Sequence, residues 1–341
     1  MYRLKEGKLL DERGRLTEAG YSTSLVKEYD RNDIKAGKLR IKEWDYYLIY
    51  NDKFGIALTI DDNSYMGLIS ASFLDFTKPM ERTVSKLFWF PLGKTAFPKS
   101  SAEGDVIKSL KGCSAAFTHE NGRRHLVLHM DNFDGGLPLH CDLYLSDEPQ
   151  DSMVIATPFP KKSTAFYYNQ KIIGMKAQGR VEYCGKTYEF YEDDSFGLLD
   201  WGRGVWTYSN TWYWGAAQGR LDGHTIGFNI GYGFGDTSAA SENMVFFDGK
   251  AHKLSLVDFG IPQRNGKDDF MSTWNMTSDD GRFSMRFEPI IDRRANTDVG
   301  LICSKQHQVF GRFFGTVTLD DGTKVEIENL LGFAEKVKNR W

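Results

Sequence analysis

Three features of this 341-residue chain predict an all-β protein of two antiparallel β-barrel or sandwich units related by internal duplication. The first is residue usage. Aromatic residues make up 14% of the chain, with 24 Phe, 16 Tyr and 8 Trp, which favours pleated surfaces and ring-lined pockets. Gly outnumbers Pro by 34 to 9, a balance that supplies tight turns and close backbone approaches. The second is spacing: short alternating segments are separated regularly by glycine-bearing turns, the pattern of a barrel or sandwich rather than of an α/β fold. The third is repetition. "GLLDWGRGVW" at 197–206 and "GFAEKVKNRW" at 332–341 both have glycine first, an acid fourth (Asp200, Glu335) and tryptophan tenth (Trp206, Trp341).

The elements follow in order. A charged leader covers residues 1–39, with a short helix expected around Ser24 to Ile34. "YYLIY" and "FGIALTI", either side of Asn51–Lys53, read as a hairpin leading to "SYMGLISASFLDF". In "SAAFTHENGRRHLVLHM" the pair Asn121-Gly122 is the preferred centre of a type I′ hairpin turn. "LPLHCDLYL" alternates as a half-buried strand does: Leu137, Leu139, Cys141, Leu143 and Leu145 face one way, His140, Asp142 and Tyr144 the other. Further turns are marked by Cys184-Gly185, Asp222-Gly223, Asp248-Gly249, Asp280-Gly281 and Asp321-Gly322.

The repeat extends upstream. "GRVEYCGKTYEFYEDDSFGLLDWGRGVW" and "GTVTLDDGTKVEIENLLGFAEKVKNRW" share a glycine, a strand, a glycine turn, another strand and the same ending, with spacings that differ only as hairpin lengths do. A boundary near Trp206 follows, giving a first unit at 40–205 with extra loops and a compact second unit at 206–341. A cavity is expected at or near their junction.

Charge narrows the function classes. The formal net charge is −3 and no long basic run occurs, so a nucleic-acid footprint is absent. The polar start "MYRLKEGKLLDERGRL" lacks the apolar core of a secretory signal, and no apolar run reaches the ~20 residues of a membrane span, so a cytoplasmic location is expected. Cys113, Cys141, Cys184 and Cys303 form no C-x-x-C pair and are read as reduced and buried.

The central stretch "DDSFGLLDWGRGVWTYSNTWYWGAAQGRLDGHTIGFNIGYGFGDTSAASENMVFFDGKAHKL", with "MVIATPFPKKSTAFYYNQK", "HQVFGRFFG" and the closing "GFAEKVKNRW", resembles the bacterial family called domain of unknown function 2804 along the length of the chain. A broader similarity joins it to two-domain lipocalin-like proteins that include carotenoid 1,2-hydratases. That resemblance implies lipocalin-like units, hydrophobic ligands held at barrel mouths and, in some members, proton-transfer chemistry; it concerns fold more than site.

The residues most suited to chemistry cluster around the first copy of the repeat: Asp200, Trp201, Arg203, Trp212, Tyr213, Trp214, Asn229, Tyr232, Asp236, Glu242 and Asn243. In a strand, Trp212 and Trp214 share a face and present two indoles to a polyene, a sugar ring or a core. "SENMVFF" puts a carboxylate beside an amide at a strand edge, a pair that moves a proton and orients a ligand oxygen, or that merely closes a turn. The glycines of "GFNIGYGFG" lack the following helix that a phosphate cradle needs. His125 and His129 share a strand face but stand ~13 Å apart, too far to chelate one ion, so no metal site is expected. His252 and His307 are alternative proton carriers.

The lead expectation is a cofactor-independent acid-base enzyme of hydratase, isomerase or lyase type. It would act on a small hydrophobic or sugar-like ligand, with Asp200 and Glu242 exchanging protons while Trp201, Arg203, Trp212, Trp214, Asn229, Tyr232 and Asn243 hold the substrate. The alternatives are a non-catalytic lipid or isoprenoid carrier and a carbohydrate-active enzyme using a carboxylate pair. Glu335 is expected to be structural, because its sequence neighbours offer no aromatic platform.

Overall fold

The computed structural model describes residues 1–299 and 302–340; Trp341, which ends the second copy of the repeat, lies outside the described residues. The chain is almost entirely strand. The main path of the first sheet runs Met80–Trp89, Met66–Asp75, Phe54–Asp62, Ile41–Tyr50, Phe196–Val205, Lys162–Tyr183, Leu137–Ser146, Arg123–Asp134, Cys113–Glu120 and Val106–Leu110, and curls into a nearly closed barrel. The second sheet runs Lys250–Lys253, Met244–Phe247, His224–Tyr232, Ser209–Leu221, Lys324–Arg340, Ile302–Thr318, Phe283–Val299, Trp274–Ser278 and Val257–Asp258, and forms a half-barrel.

The duplication is visible in this topology. Phe196–Val205 returns to lie between Ile41–Tyr50, the first long strand of its sheet, and Lys162–Tyr183. Lys324–Arg340 does the same between Ser209–Leu221 and Ile302–Thr318. Gly179 and Gly315, which open the two copies, have φ of 124° and 150°. At each, the backbone passes so close to the neighbouring strand that a Cβ would stand 2.2 Å from the Asp142 carbonyl oxygen or 2.0 Å from that of Ser284, so only glycine fits.

The local expectations fare well. Asn121 and Gly122 take φ of 51° and 74°, as the hairpin turn requires. Leu139, Cys141, Leu143 and Leu145 are fully buried, whereas Leu137, beside the turn, is 48% exposed. Two expectations fail. Ser24 to Ile34 is not a helix: Lys27–Glu28 pairs with Gly7–Lys8, and only Arg31–Asp33 makes a 3-10 turn, capped by the Asp30 side chain. The polar side chains explain the difference, since Lys27 bonds Glu18, the Tyr29 hydroxyl donates to Glu43, and Arg31 pairs with Glu43, together drawing an extended segment across the barrel. Of the cysteines, only Cys113 and Cys141 are buried; Cys184 is exposed at its turn and Cys303 is half-buried.

The two units pack through the outer face of the first barrel. Trp214, Phe310, Leu331 and Phe333 of the second unit belong to the same buried cluster as Leu48 and Tyr50 of the first. The Tyr50 hydroxyl bridges them, donating to the Leu331 carbonyl at 3.0 Å and accepting from the Gln218 N–H at 3.0 Å. No helix among the described residues is long and apolar enough to cross a membrane.

Candidate functional site

Strand alternation divides the first copy of the repeat between two compartments. Asp200 and Gly202 face the second unit, while Trp201 and Arg203 point into the first barrel. The same period in Lys162–Tyr183 sends Tyr167, Asn169 and Lys171 toward the junction, and the register places Lys171 opposite Asp200, with Tyr46 opposite Asp200 on its other side. Lys171 is fully buried. Its ammonium donates to Asp200 Oδ1 at 2.9 Å, Asn169 Oδ1 at 2.9 Å and the Tyr167 hydroxyl at 3.2 Å, which uses all three N–H groups. Asn169 in turn donates to Asp200 Oδ1 at 2.6 Å.

The second unit completes the cluster. Lys171 Nζ lies 4.4 Å from the centre of the Trp214 ring and 3.9 Å from Glu242 Oε2. Trp214 Nε1 donates to Asn229 Oδ1 at 2.7 Å, and Asn229 Nδ2 donates to the Glu242 carbonyl at 2.9 Å and to its Oε2 at 3.3 Å. Glu242 Oε1 is buried and has no hydrogen-bond partner among the described residues.

Glu335 joins from the opposite strand. Trp212 Nε1 donates to its Oε1 and Gln308 Nε2 to its Oε2, both at 3.1 Å, and Arg293 donates to Gln308 Oε1 at 2.7 Å. The expectation that Glu335 lacks an aromatic platform is therefore corrected: it stands in register with Trp214 and bonds Trp212. Asp200 acts on the Glu335 carboxyl through space, so both acids of the repeat lie near this cluster.

Two buried carboxyl groups, Asp200 and Glu242, thus share one buried ammonium, and a third, Glu335, is held nearby by Trp212 and Gln308. Burial pushes the Glu242 carboxyl upward, against the pull of Lys171 and Asn229. Burial likewise lifts Glu335 to about 7, opposed by the Trp212 hydrogen bond and Arg293 and reinforced by Asp200. The Tyr167 hydroxyl is held well above its ordinary value by burial and by Glu242, Asp200 and Glu335, so it stays protonated. Beside these charges runs an aromatic wall. Tyr167 stacks between Phe234, at 5.0 Å, and Trp44, at 6.2 Å, and Trp206 packs edge-on to Trp44, Tyr167 and Trp212. The buried Trp206 Nε1 also lacks a partner among the described residues.

The structure gathers Asp200, Glu242, Trp212, Trp214 and Asn229, and sets the others apart. Arg203 pairs with Asp45 at 2.9 Å inside the first barrel and stacks on Trp201, so it is not the partner of Asp200. Asn243 uses both ends of its amide, accepting from the Gly231 N–H and donating to the Ser255 carbonyl, as a turn-holding side chain does. Tyr232 stacks on Tyr213 against the core of the second unit. Asp236 accepts from the Ser238 N–H. His252 accepts from the Asp320 N–H, and His307 bonds Asp292 and stacks on Phe270; neither bonds a member of the cluster. Tyr167, Asn169 and Lys171 were missed. Their signal lies in "FYYNQKIIG", where polar groups recur every second residue inside an apolar strand.

Two units of this topology, a nearly closed barrel and a half-barrel with a polar cluster enclosed between them, define a two-unit lipocalin-like β protein. The chain belongs to the family called domain of unknown function 2804 (DUF2804), whose profile matches residues 2–341. Solved structures resemble the chain at low identity. An AttH candidate from Nitrosomonas europaea superposes with a TM-score of 0.57 at 11% identity, covering 93% of this chain and 98% of its own. CghA, solved with Sch210972, gives 0.52 at 11% identity over 99% and 97%. Kievitone hydratase from Nectria haematococca gives 0.47 at 9% identity over 98% of each chain. No curated protein matches in sequence.

Proposed function

We propose that this protein is a cofactor-independent acid-base enzyme of hydratase, isomerase or lyase type, acting at the junction of units 40–205 and 206–341 on a small organic molecule. The observation that carries this reading is Glu242 Oε1, a buried carboxyl oxygen with no partner among the described residues, next to a lysine whose donors are all committed elsewhere. A carrier has reason to satisfy its buried polar groups; an enzyme needs one carboxyl left for its substrate.

The roles follow from the surroundings. Glu242, whose carboxyl is pushed toward its protonated form, gives a proton to a substrate atom standing at Oε1. Asp200, held by Lys171 and Asn169, takes one from water or from a carbon, so each turnover delivers one proton and removes one. Lys171 lies 2.9 Å from one acid and 3.9 Å from the other and stabilises negative charge developing between them. The apolar part of the substrate lies along Trp44, Trp206, Trp212 and Phe234, of which Trp44 and Trp212 are only half-buried and open the wall to solvent. A fold that has been solved with Sch210972 present agrees with a ligand-holding role.

Incubation with cell extract in deuterated water, followed by mass spectrometry, tests the reading. Conversion of a bound molecule with solvent deuterium in the product, lost in Glu242→Gln, is expected. Retention of a molecule without conversion by the wild type assigns the carrier instead.

A further inference from the structure

We propose that one end of the first barrel docks on an anionic lipid surface, through apolar knobs at Leu39, Leu87, Trp89, Phe90 and Leu92 set among Lys35, Lys38 and Lys94. The five apolar side chains are between 40% and 66% exposed. Scattered exposed apolar residues need no account, but these come together on two segments. Leu92 N–H donates to the Ser64 carbonyl at 3.2 Å, and the Ser64 hydroxyl donates to the Ile41 carbonyl at 2.8 Å, so the loop after Trp89 adjoins the start of the strand that follows Leu39.

The loop is built to hold these groups outward. Phe90 and Leu92 have φ of 50° and 53°, a left-handed conformation that bulky residues avoid. It is fixed by the Phe90 N–H on the Tyr65 carbonyl at 3.0 Å and the Gly93 N–H on Asp62 at 2.9 Å, with Pro91 and Thr95 buried beneath. Strain that keeps aromatic and aliphatic side chains in water points to a surface that covers them.

Charge selects the occupant. Although the chain is net negative, residues 35–40 and 87–99 contain no acid. Lys99 is neutralised by Asp30 at 2.6 Å, which leaves Lys35, Lys38 and Lys94 around the knobs. Short apolar tips interspersed with basic residues, without a continuous groove, suit insertion between the headgroups of an acidic bilayer. No long basic run signals this in the sequence, because the patch is assembled from segments some fifty residues apart. Docking here would let the protein take apolar molecules from the bilayer.

Sedimentation with phosphatidylcholine vesicles, with and without about one-third phosphatidylserine, tests the proposal. The wild type is expected to partition onto the anionic vesicles at low salt and to be released by added salt. Trp89→Ser/Phe90→Ser and Lys38→Glu/Lys94→Glu should each weaken binding by about tenfold or more. All four side chains are exposed, and matching melting curves would show that folding is intact. Equal binding to both vesicle types, or binding unchanged in both variants, would overturn the proposal. So would a wild-type dimer that Trp89→Ser/Phe90→Ser converts to monomer, which would assign the patch to a second copy of the chain.

Discussion

Lys171 Nζ stands 2.9 Å from Asp200 Oδ1 on the neighbouring strand, directly opposite in register, and both side chains are buried between the two units. Removing the ammonium strands a buried charge. Lys171→Met is therefore expected to destabilise the protein by about 3–5 kcal/mol, read by denaturant melts. Adding Asp200→Asn to Lys171→Met should recover part of that loss, because the neutral amide needs no counter-charge. A double-mutant cycle with coupling near zero would show that the pair contributes nothing to the fold.

Glu242 offers the opposite pattern. Its Oε1 has no partner among the described residues to lose, so Glu242→Gln should melt at or above the wild-type temperature while conversion of the substrate falls by about 100-fold or more. Asp200→Asn should reduce both stability and turnover, since its Oδ1 accepts from Lys171 and Asn169. Assays of conversion beside thermal melts separate the two. Full activity in Glu242→Gln would remove it from the chemistry.

These contrasts show what the sequence made legible. Alternation and turn chemistry are local, so hairpins such as that at Asn121-Gly122 could be read directly, and the duplicated strands could be matched by their glycines. The site could be read only in part. Asp200, Glu242, Trp212, Trp214 and Asn229 came from sequence neighbourhood, but so did Trp201 and Arg203, which alternation sends into the barrel. Partner choice is a property of register. Nothing near Asp200 in the chain announces Lys171, 29 residues earlier, and nothing near Glu335 announces Trp212, 123 residues earlier. Non-local pairing also explains why the sequence around Glu335 points to a structural role alone.

Gly202 sets the aromatic wall. A Cβ there would lie 2.0 Å from the Trp44 ring, which covers the bare backbone of the neighbouring strand at its register partner. Gly202→Ala is expected to displace Trp44, lower stability by about 1–3 kcal/mol and alter the near-UV circular dichroism of the wall. Trp44→Phe removes the ring atoms that clash, so the pair Gly202→Ala/Trp44→Phe should be more stable than Gly202→Ala alone. Failure of that rescue would place the strain elsewhere.

Glu335 predicts how stability depends on pH. Its carboxyl is raised to about 7 in the folded protein, mainly by burial, from an ordinary value of 4.5. The folded state therefore holds the proton more tightly than the unfolded chain. The associated stability is fully present below about pH 4.5 and is lost as pH rises through 7, where the buried group must ionise. Integrated over that window, the change is on the order of 3 kcal/mol. Other groups titrate in the same range, Lys42 and Lys253 among them, so the informative quantity is the difference between wild type and Glu335→Gln. Glutamine cannot ionise. The variant should gain on the wild type steadily between pH 5 and 7.5 and hold a constant offset above that, measured by melts across the series. Parallel curves for the two proteins would mean that Glu335 titrates alike in the folded and unfolded states.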